Sequence, residues 1–98
     1  MISRQWTGIA RASEASNYIR HLREETFPHL ATLPGFVRAS ILRRDVEEGV
    51  EFRIVTEWES REAIRAFAGE TLDVAVVPQV VRAMMVRFDA TVAHYEMV

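Results

Sequence analysis

The chain has 98 residues, a 49% hydrophobic fraction, and 12 Lys+Arg against 14 Asp+Glu for a formal charge of -2. The length is that of one domain, residues 1–98, with room for a single core, and the charge balance argues against a nucleic-acid binder, which would normally show a basic stripe or patch. There is no cysteine, which excludes disulfides and thiolate chemistry and fits a reducing cytosol.

Residues 2–10 read as a strand, because Trp6, Thr7 and Ile9 favour extended chain and no helical stripe appears. A helix is expected from Ala12 onward, with Ser13 as its N-cap and Glu14 placed where the helix dipole favours negative charge. Ala15, Tyr18, Ile19 and Leu22 recur at three- and four-residue spacing and give it one apolar face. Pro28 is expected to bend or end this helix, and Pro34-Gly35 to stop it. Residues 36–44 form a second strand, 45–49 an acidic hairpin turn and 50–58 a third strand. In the third, Phe52, Ile54, Thr56 and Trp58 alternate with Glu51, Arg53 and Glu57, the clearest period-two signal in the chain.

Ser60 caps the next helix, whose buried stripe is Ala63, Ile64, Phe67 and Ala68 and whose terminator is Gly69. Between 71 and 85 valines favour strand, yet Val77, Val81, Met84 and Met85 suit a helical stripe and Pro78 bars a central strand. The expected outcome is a short helix, a break near Pro78 and a second helical stretch to about Met84. Residues 86–97 read as the final strand. The apolar stretch 72–86 is broken by Asp73, Pro78, Gln79 and Arg82, and the N-terminus has no leader-like apolar run. No membrane span and a cytoplasmic location are therefore expected.

The order is β-α-β-β-α-β, the α+β split arrangement of ferredoxin-like domains: a four-stranded antiparallel sheet with both helices on one face. Apolar groups on both faces of the last strand (Phe88 and Val92 against Met85, Tyr95 and Met97) ask for a cover on the open face. A second copy packed sheet to sheet is the simplest one, so a homodimer is expected.

Three segments resemble the antibiotic biosynthesis monooxygenase family of dimeric α+β barrels. They are Leu33-Pro34-Gly35-Phe36, the run from Thr56-Glu57-Trp58-Glu59-Ser60 to Arg61-Glu62-Ala63, and Phe67. The resemblance implies a homodimer with a pocket between sheet and helices in each subunit. Enzymes of the family oxidise electron-rich polycyclic phenols with O2 and no cofactor, or degrade haem; others have no known activity. The haem-degrading branch carries an Asn on the first strand where this chain has Trp6 or Gln5, a Trp in the second helix where Phe67 stands, and a later haem-ligating His. No histidine occurs between residues 30 and 93, so haem degradation is not expected.

His94 is the candidate base, since an imidazole titrates near neutrality and a cofactor-free oxygenase must form a substrate anion before electron transfer to O2. The competing reading is a strand-end histidine with one nitrogen hydrogen-bonded. Trp6, Trp58 and Phe67 are candidate walls for a planar substrate, or core. Tyr18 is a candidate hydroxyl donor, because a buried phenol needs a partner. Arg38 and Arg53 are candidates to hold an anionic substrate, or to pair with Glu51 or Glu57. His21, Glu25 and His29 step by four along one helix, read here as a solvated face rather than a metal site. No phosphate loop, hydrolase elbow or zinc spacing is present, so no cofactor or metal is expected. Two readings stand: a cofactor-free monooxygenase acting on a small aromatic or quinol, and a non-catalytic dimeric domain that binds a small hydrophobic ligand or serves a structural role.

Overall fold

A computed structural model describes residues 1–98. Strand β1 (Ile2–Ala10) is followed by a 3-10 turn (Ala12–Glu14) and then by α1 (Ala15–His21), a π-helical turn (Leu22–Thr26) and α2 (Phe27–Ala31). Ser13 does not cap this helix as expected. It lies inside the 3-10 turn, where no side chain satisfies the first amides. Nor does Pro28 end the helix. Proline has no N–H to give to the carbonyl four residues back, and the wider π turn just before it absorbs that missing bond, so the rod continues to Ala31.

Strands β2 (Phe36–Val46) and β3 (Gly49–Trp58) form the hairpin, with only Glu47 and Glu48 outside the ladder. The α3 helix (Arg61–Ala68) starts as expected: the Ser60 hydroxyl accepts from the Ala63 N–H at 3.2 Å, and Gly69 ends it at φ 76°. The expected first helix of 71–85 does not form. Those residues run as an irregular strap whose Val74 bridges to Thr91, and only α4 (Gln79–Arg82) follows Pro78. Pro78 cannot donate in the strap, but its rigid φ suits the entry to a helix.

The last strand is also broken, into β4 (Met85–Phe88) and β5 (Ala93–Glu96), both antiparallel to β1. Asp89 N–H still donates to Thr7 O of β1 at 3.0 Å, and residues 90–92 then bulge away. Their backbone pairs with the strap instead: Ala75 N–H donates to Ala90 O at 2.9 Å, and Val92 N–H to Asp73 O at 2.8 Å. With β4 and β5 as one interrupted strand, the four-stranded antiparallel order is β2-β3-β1-β4/β5, the ferredoxin-like topology.

All helices lie on one face. Register places Ile2, Arg4, Trp6, Gly8 and Ala10 on that face, opposite Trp58, Thr56, Ile54, Phe52 and Val50. Six of these side chains (Ile2, Ala10, Val50, Phe52, Ile54 and Trp58), together with Tyr18, Leu22, Leu30, Ile64 and Val81 of the helices, make up most of the buried core. No helix is long and apolar enough to cross a membrane.

The segments singled out for their family resemblance touch one another. Gly35 holds φ at 88°, its carbonyl accepts from Glu59 N–H at 2.8 Å, and a Cβ there would lie 2.5 Å from the Ala63 Cβ. A left-handed conformation combined with so close an approach permits only glycine. The Pro-Gly corner thus docks the start of β2 onto the junction of β3 and α3, with Trp58 buried underneath.

Candidate functional site

Between the sheet and the first helical rod lies a cavity of about 410 Å³. Arg4, Trp6, Ile54 and Thr56 supply its sheet wall; Tyr18, Leu22, Thr26, Phe27 and Leu30 supply the helix wall; Phe67 of α3 and Val76–Pro78 of the strap close its sides. The size and mostly apolar lining suit a small flat molecule. A π turn in the wall is itself a common companion of binding sites.

Trp6 lies across the sheet because its neighbour on the same face is Gly8, where any Cβ would come 2.5 Å from the indole. Its Nε1–H donates to Asp89 O at 2.8 Å, which fixes the ring and ties it to the bulge. The ring stands 6.4 Å from Tyr18 and 6.3 Å from Phe88. Tyr18 is 3% exposed and packs edge-on against Phe52 at 5.0 Å. Its hydroxyl makes no hydrogen bond to the protein, and no polar side-chain atom is sealed without a partner, so this hydroxyl opens on the cavity. Burial pushes the phenol well above its ordinary pKa. At neutral pH it is a hydrogen-bond donor and not a base.

Arg4 is the residue that the sequence reading missed. It stands on the inward face of a central strand and is only 5% exposed. Its Nη1–H groups donate to Leu72 O and to His94 Nε2 (3.0 Å), and its Nη2–H to Val74 O at 3.1 Å. The guanidinium also lies over the Phe67 ring, 5.8 Å from its centroid. The available signal was the alternation Ile2, Arg4, Trp6, which places a cation on the face of two apolar side chains.

An arginine can only donate, so His94 Nε2 is an acceptor and the ring proton sits on Nδ1, which donates to Asp73 Oδ1 at 3.1 Å. The His94 side chain is 2% exposed and does not line the cavity. It stands behind Arg4, opposite it across the β1–β5 ladder. Burial first, and the Arg4 charge second, hold the imidazole below the usual histidine range, against the pull of Asp73.

A native histidine with a depressed pKa binds protons more weakly than the unfolded chain does. Its stabilising contribution is whole above the unfolded value of about 6.5 and is lost as pH falls below that, until the native imidazole also takes up its proton. Lowering pH from about 7.5 to about 5.5 is therefore expected to reduce the urea midpoint of the wild type more than that of His94→Gln. An equal loss in both would show that His94 does not carry this linkage.

The remaining sequence candidates separate clearly. Phe67 lines the cavity with Trp6 and Tyr18. Trp58 does not: it is fully buried, its Nε1–H donates to Thr56 Oγ1 at 2.9 Å, and it stacks with Phe67 at 6.4 Å. Arg38 and Arg53 belong to the open face of the sheet, outside the cavity. Arg38 pairs with Glu57 at 3.2 Å, and Arg53 reaches Gln5 Oε1 at 3.5 Å. His21, Glu25 and His29 lie around the mouth, but no group of three or more acidic, His or Cys side chains is close enough to hold a metal ion.

Comparison with known proteins agrees with this architecture. Residues 9–72 match the family model described as antibiotic biosynthesis monooxygenase. The chain belongs to that family. Among solved structures, it is similar to a putative antibiotic biosynthesis monooxygenase from Bacillus cereus, with a TM-score of 0.66 and 19% identity over 97% of this chain and 89% of that one. At that identity the likeness is one of fold. No curated protein matches the sequence. The matched span of the antibiotic biosynthesis monooxygenase model takes in the helix wall, the hairpin and α3, but not Arg4, Trp6 or His94.

Proposed function

We propose that this protein is a cofactor-free monooxygenase acting on a small aromatic or quinol within the cavity. The observation that carries the reading is an apolar chamber of about 410 Å³ walled by Trp6 and Phe67, with one unpartnered phenol hydroxyl, Tyr18, facing into it. In an anthrone-type reaction, the substrate CH2 carbon loses two hydrogens and becomes a carbonyl with one oxygen atom of O2. The second oxygen atom leaves as water with those hydrogens, so the substrate supplies every electron. The protein's share is to exclude water, hold the ring plane and donate a hydrogen bond to the oxygen on which anionic charge develops. Tyr18 is the residue placed for that donation. His94 acts on the site through Arg4, as a positioning residue, since its only free lone pair already accepts from the guanidinium.

The second reading, a domain that binds a small hydrophobic ligand without turning it over, is favoured by one feature: neither Tyr18 nor His94 offers a free base inside the chamber. Oxygen uptake with a panel of anthrone-like phenols and quinols, under metal-free conditions, separates the two. The monooxygenase reading expects one O2 consumed per substrate and a rate lower by about 10²-fold in Tyr18→Phe. Uptake unchanged in Tyr18→Phe would remove Tyr18 from the chemistry. Binding without uptake would favour the second reading.

The functional unit in either case is a homodimer joined through the open faces of two sheets. That face presents Leu42, Val55 and Tyr95 with the short polar side chains of Ser40 and Gln5, and Leu42 and Tyr95 are each about half exposed in the single chain. The cavities lie on the opposite, helix-covered side, so such a dimer leaves both mouths open. A reducing cytosol is the compartment that this cysteine-free chain fits.

A further inference from the structure

We infer that the cavity contains an oxyanion subsite at Arg4, and that its ligand is a carboxylate on a small flat apolar body. The inference rests on the cavity being a ligand site, whether or not turnover follows.

A guanidinium has five N–H donors, and three of those of Arg4 are committed, to two backbone carbonyls and one imidazole. All three acceptors are neutral. Arg4 makes no ion pair: the nearest acid in its network, Asp73, is reached only through His94, and its side chain is 77% exposed. A buried cation with neutral first contacts is costly unless an anion reaches it. The two uncommitted donors belong to a side chain that lines the chamber, and no side-chain nitrogen is sealed without a partner. A planar fork of this kind matches a carboxylate better than a single hydroxyl.

The surroundings fix the fork. Nη1 gives both of its N–H groups, to Leu72 O and His94 Nε2, Nη2 gives one to Val74 O, and Phe67 lies beneath the guanidinium plane, so the uncommitted pair is the Nε–H and the second Nη2–H. A ligand whose carboxylate meets Arg4 would lay its apolar body along Trp6 and Phe67 and bring its far side towards the Tyr18 hydroxyl. No sequence candidate had this position. Arg38 and Arg53 lie on the other face of the sheet.

The test is calorimetric titration of the wild-type protein with 2-naphthoate and with its neutral isostere 2-naphthamide, at low salt. The Trp6 indole N–H signal is followed by NMR to place the ligand. Naphthoate is expected to bind at least about tenfold more tightly, with the Trp6 signal shifting and that of Trp58 changing less. Arg4→Met, checked for folding by circular dichroism, is expected to bring the two affinities together. Arg4→Lys, which keeps the charge but loses the planar fork, is the second variant if Arg4→Met does not fold, and is expected to lose most of the naphthoate preference. Equal affinity in the wild type, or a naphthoate preference that survives Arg4→Met, would overturn the subsite while leaving the cavity as a ligand site. Failure of both compounds to bind would overturn the subsite together with the reading of the cavity as a small-aromatic site.

Discussion

Trp58→Ala is expected to lower folding stability by about 3–5 kcal/mol, read from the urea midpoint at constant slope. Trp58 is fully buried between the sheet and α3, edge-on to Phe36 at 5.3 Å and stacked on Phe67 at 6.4 Å. Its removal would leave a large void and strip the Thr56 hydroxyl of the donor it now accepts from at 2.9 Å. The neighbours cannot easily fill that space. Gly35 and Ala63 are already in contact above it, and Ile2, Leu30 and Ile64 pack around it as a tight second cluster of the core. Because Phe67 is both a neighbour of Trp58 and a wall of the cavity, ligand binding should weaken along with stability. Trp58→Phe keeps most of the volume and should cost less than half as much. A loss below about 1 kcal/mol for Trp58→Ala would mean that this side chain does not anchor the core.

The second large effect expected is on assembly. At micromolar concentration, light scattering should give twice the 11.2 kDa mass of one chain. Val55 lies on central strand β3, on the open face, flanked by Gln5 on β1 and Ser40 on β2. In a sheet-to-sheet dimer it would be covered, and a carboxylate there would be desolvated without a partner. Val55→Asp is therefore expected to yield a folded monomer with an unchanged far-ultraviolet spectrum, whereas Val55→Thr, nearly isosteric, should remain dimeric. Ion pairs on the same face, such as Arg44 with Glu51 at 2.8 Å, are exposed in the single chain and contribute little there. A wild type that runs as a monodisperse monomer would refute the sheet-to-sheet assembly.

Much of the architecture was legible where a local pattern decided it. The alternation from Phe52 to Trp58 fixed both the extended form of β3 and its buried face. Ser60 and Gly69 marked the two ends of α3 through capping chemistry that needs only a few neighbouring residues. The readings that failed were those in which a local preference was outweighed from a distance. Ser13 is a good cap by type, but the chain leaves β1 through a 3-10 turn that puts it inside. Residues 71–77 form neither helix nor full strand, because Arg4 claims the carbonyls of Leu72 and Val74 and the bulge claims Asp73 O and Ala75 N–H. Pro28, expected to bend or end the first helix, does not end it, since a π turn accommodates it.

The same division holds for the site. By itself, the sequence determined the α+β class and this family, the inward-facing stripe of Tyr18 and Leu22, and the aromatic set from which a pocket could be built. Each of these follows from short-range periodicity or from a motif a few residues long. Only the tertiary structure decided that Trp6 and Phe67 are walls while Trp58 is core, and that Arg38 and Arg53 stand on the far side of the sheet. It alone joined Arg4 to His94 across 90 positions of chain and turned the imidazole's lone pair from the cavity to the guanidinium. The physical reason is register. One residue of slip exchanges the two faces of a strand, and the pairing that sets β5 against β1 rests on a bulge held by a tryptophan N–H and a strap, neither of which has a periodicity to read.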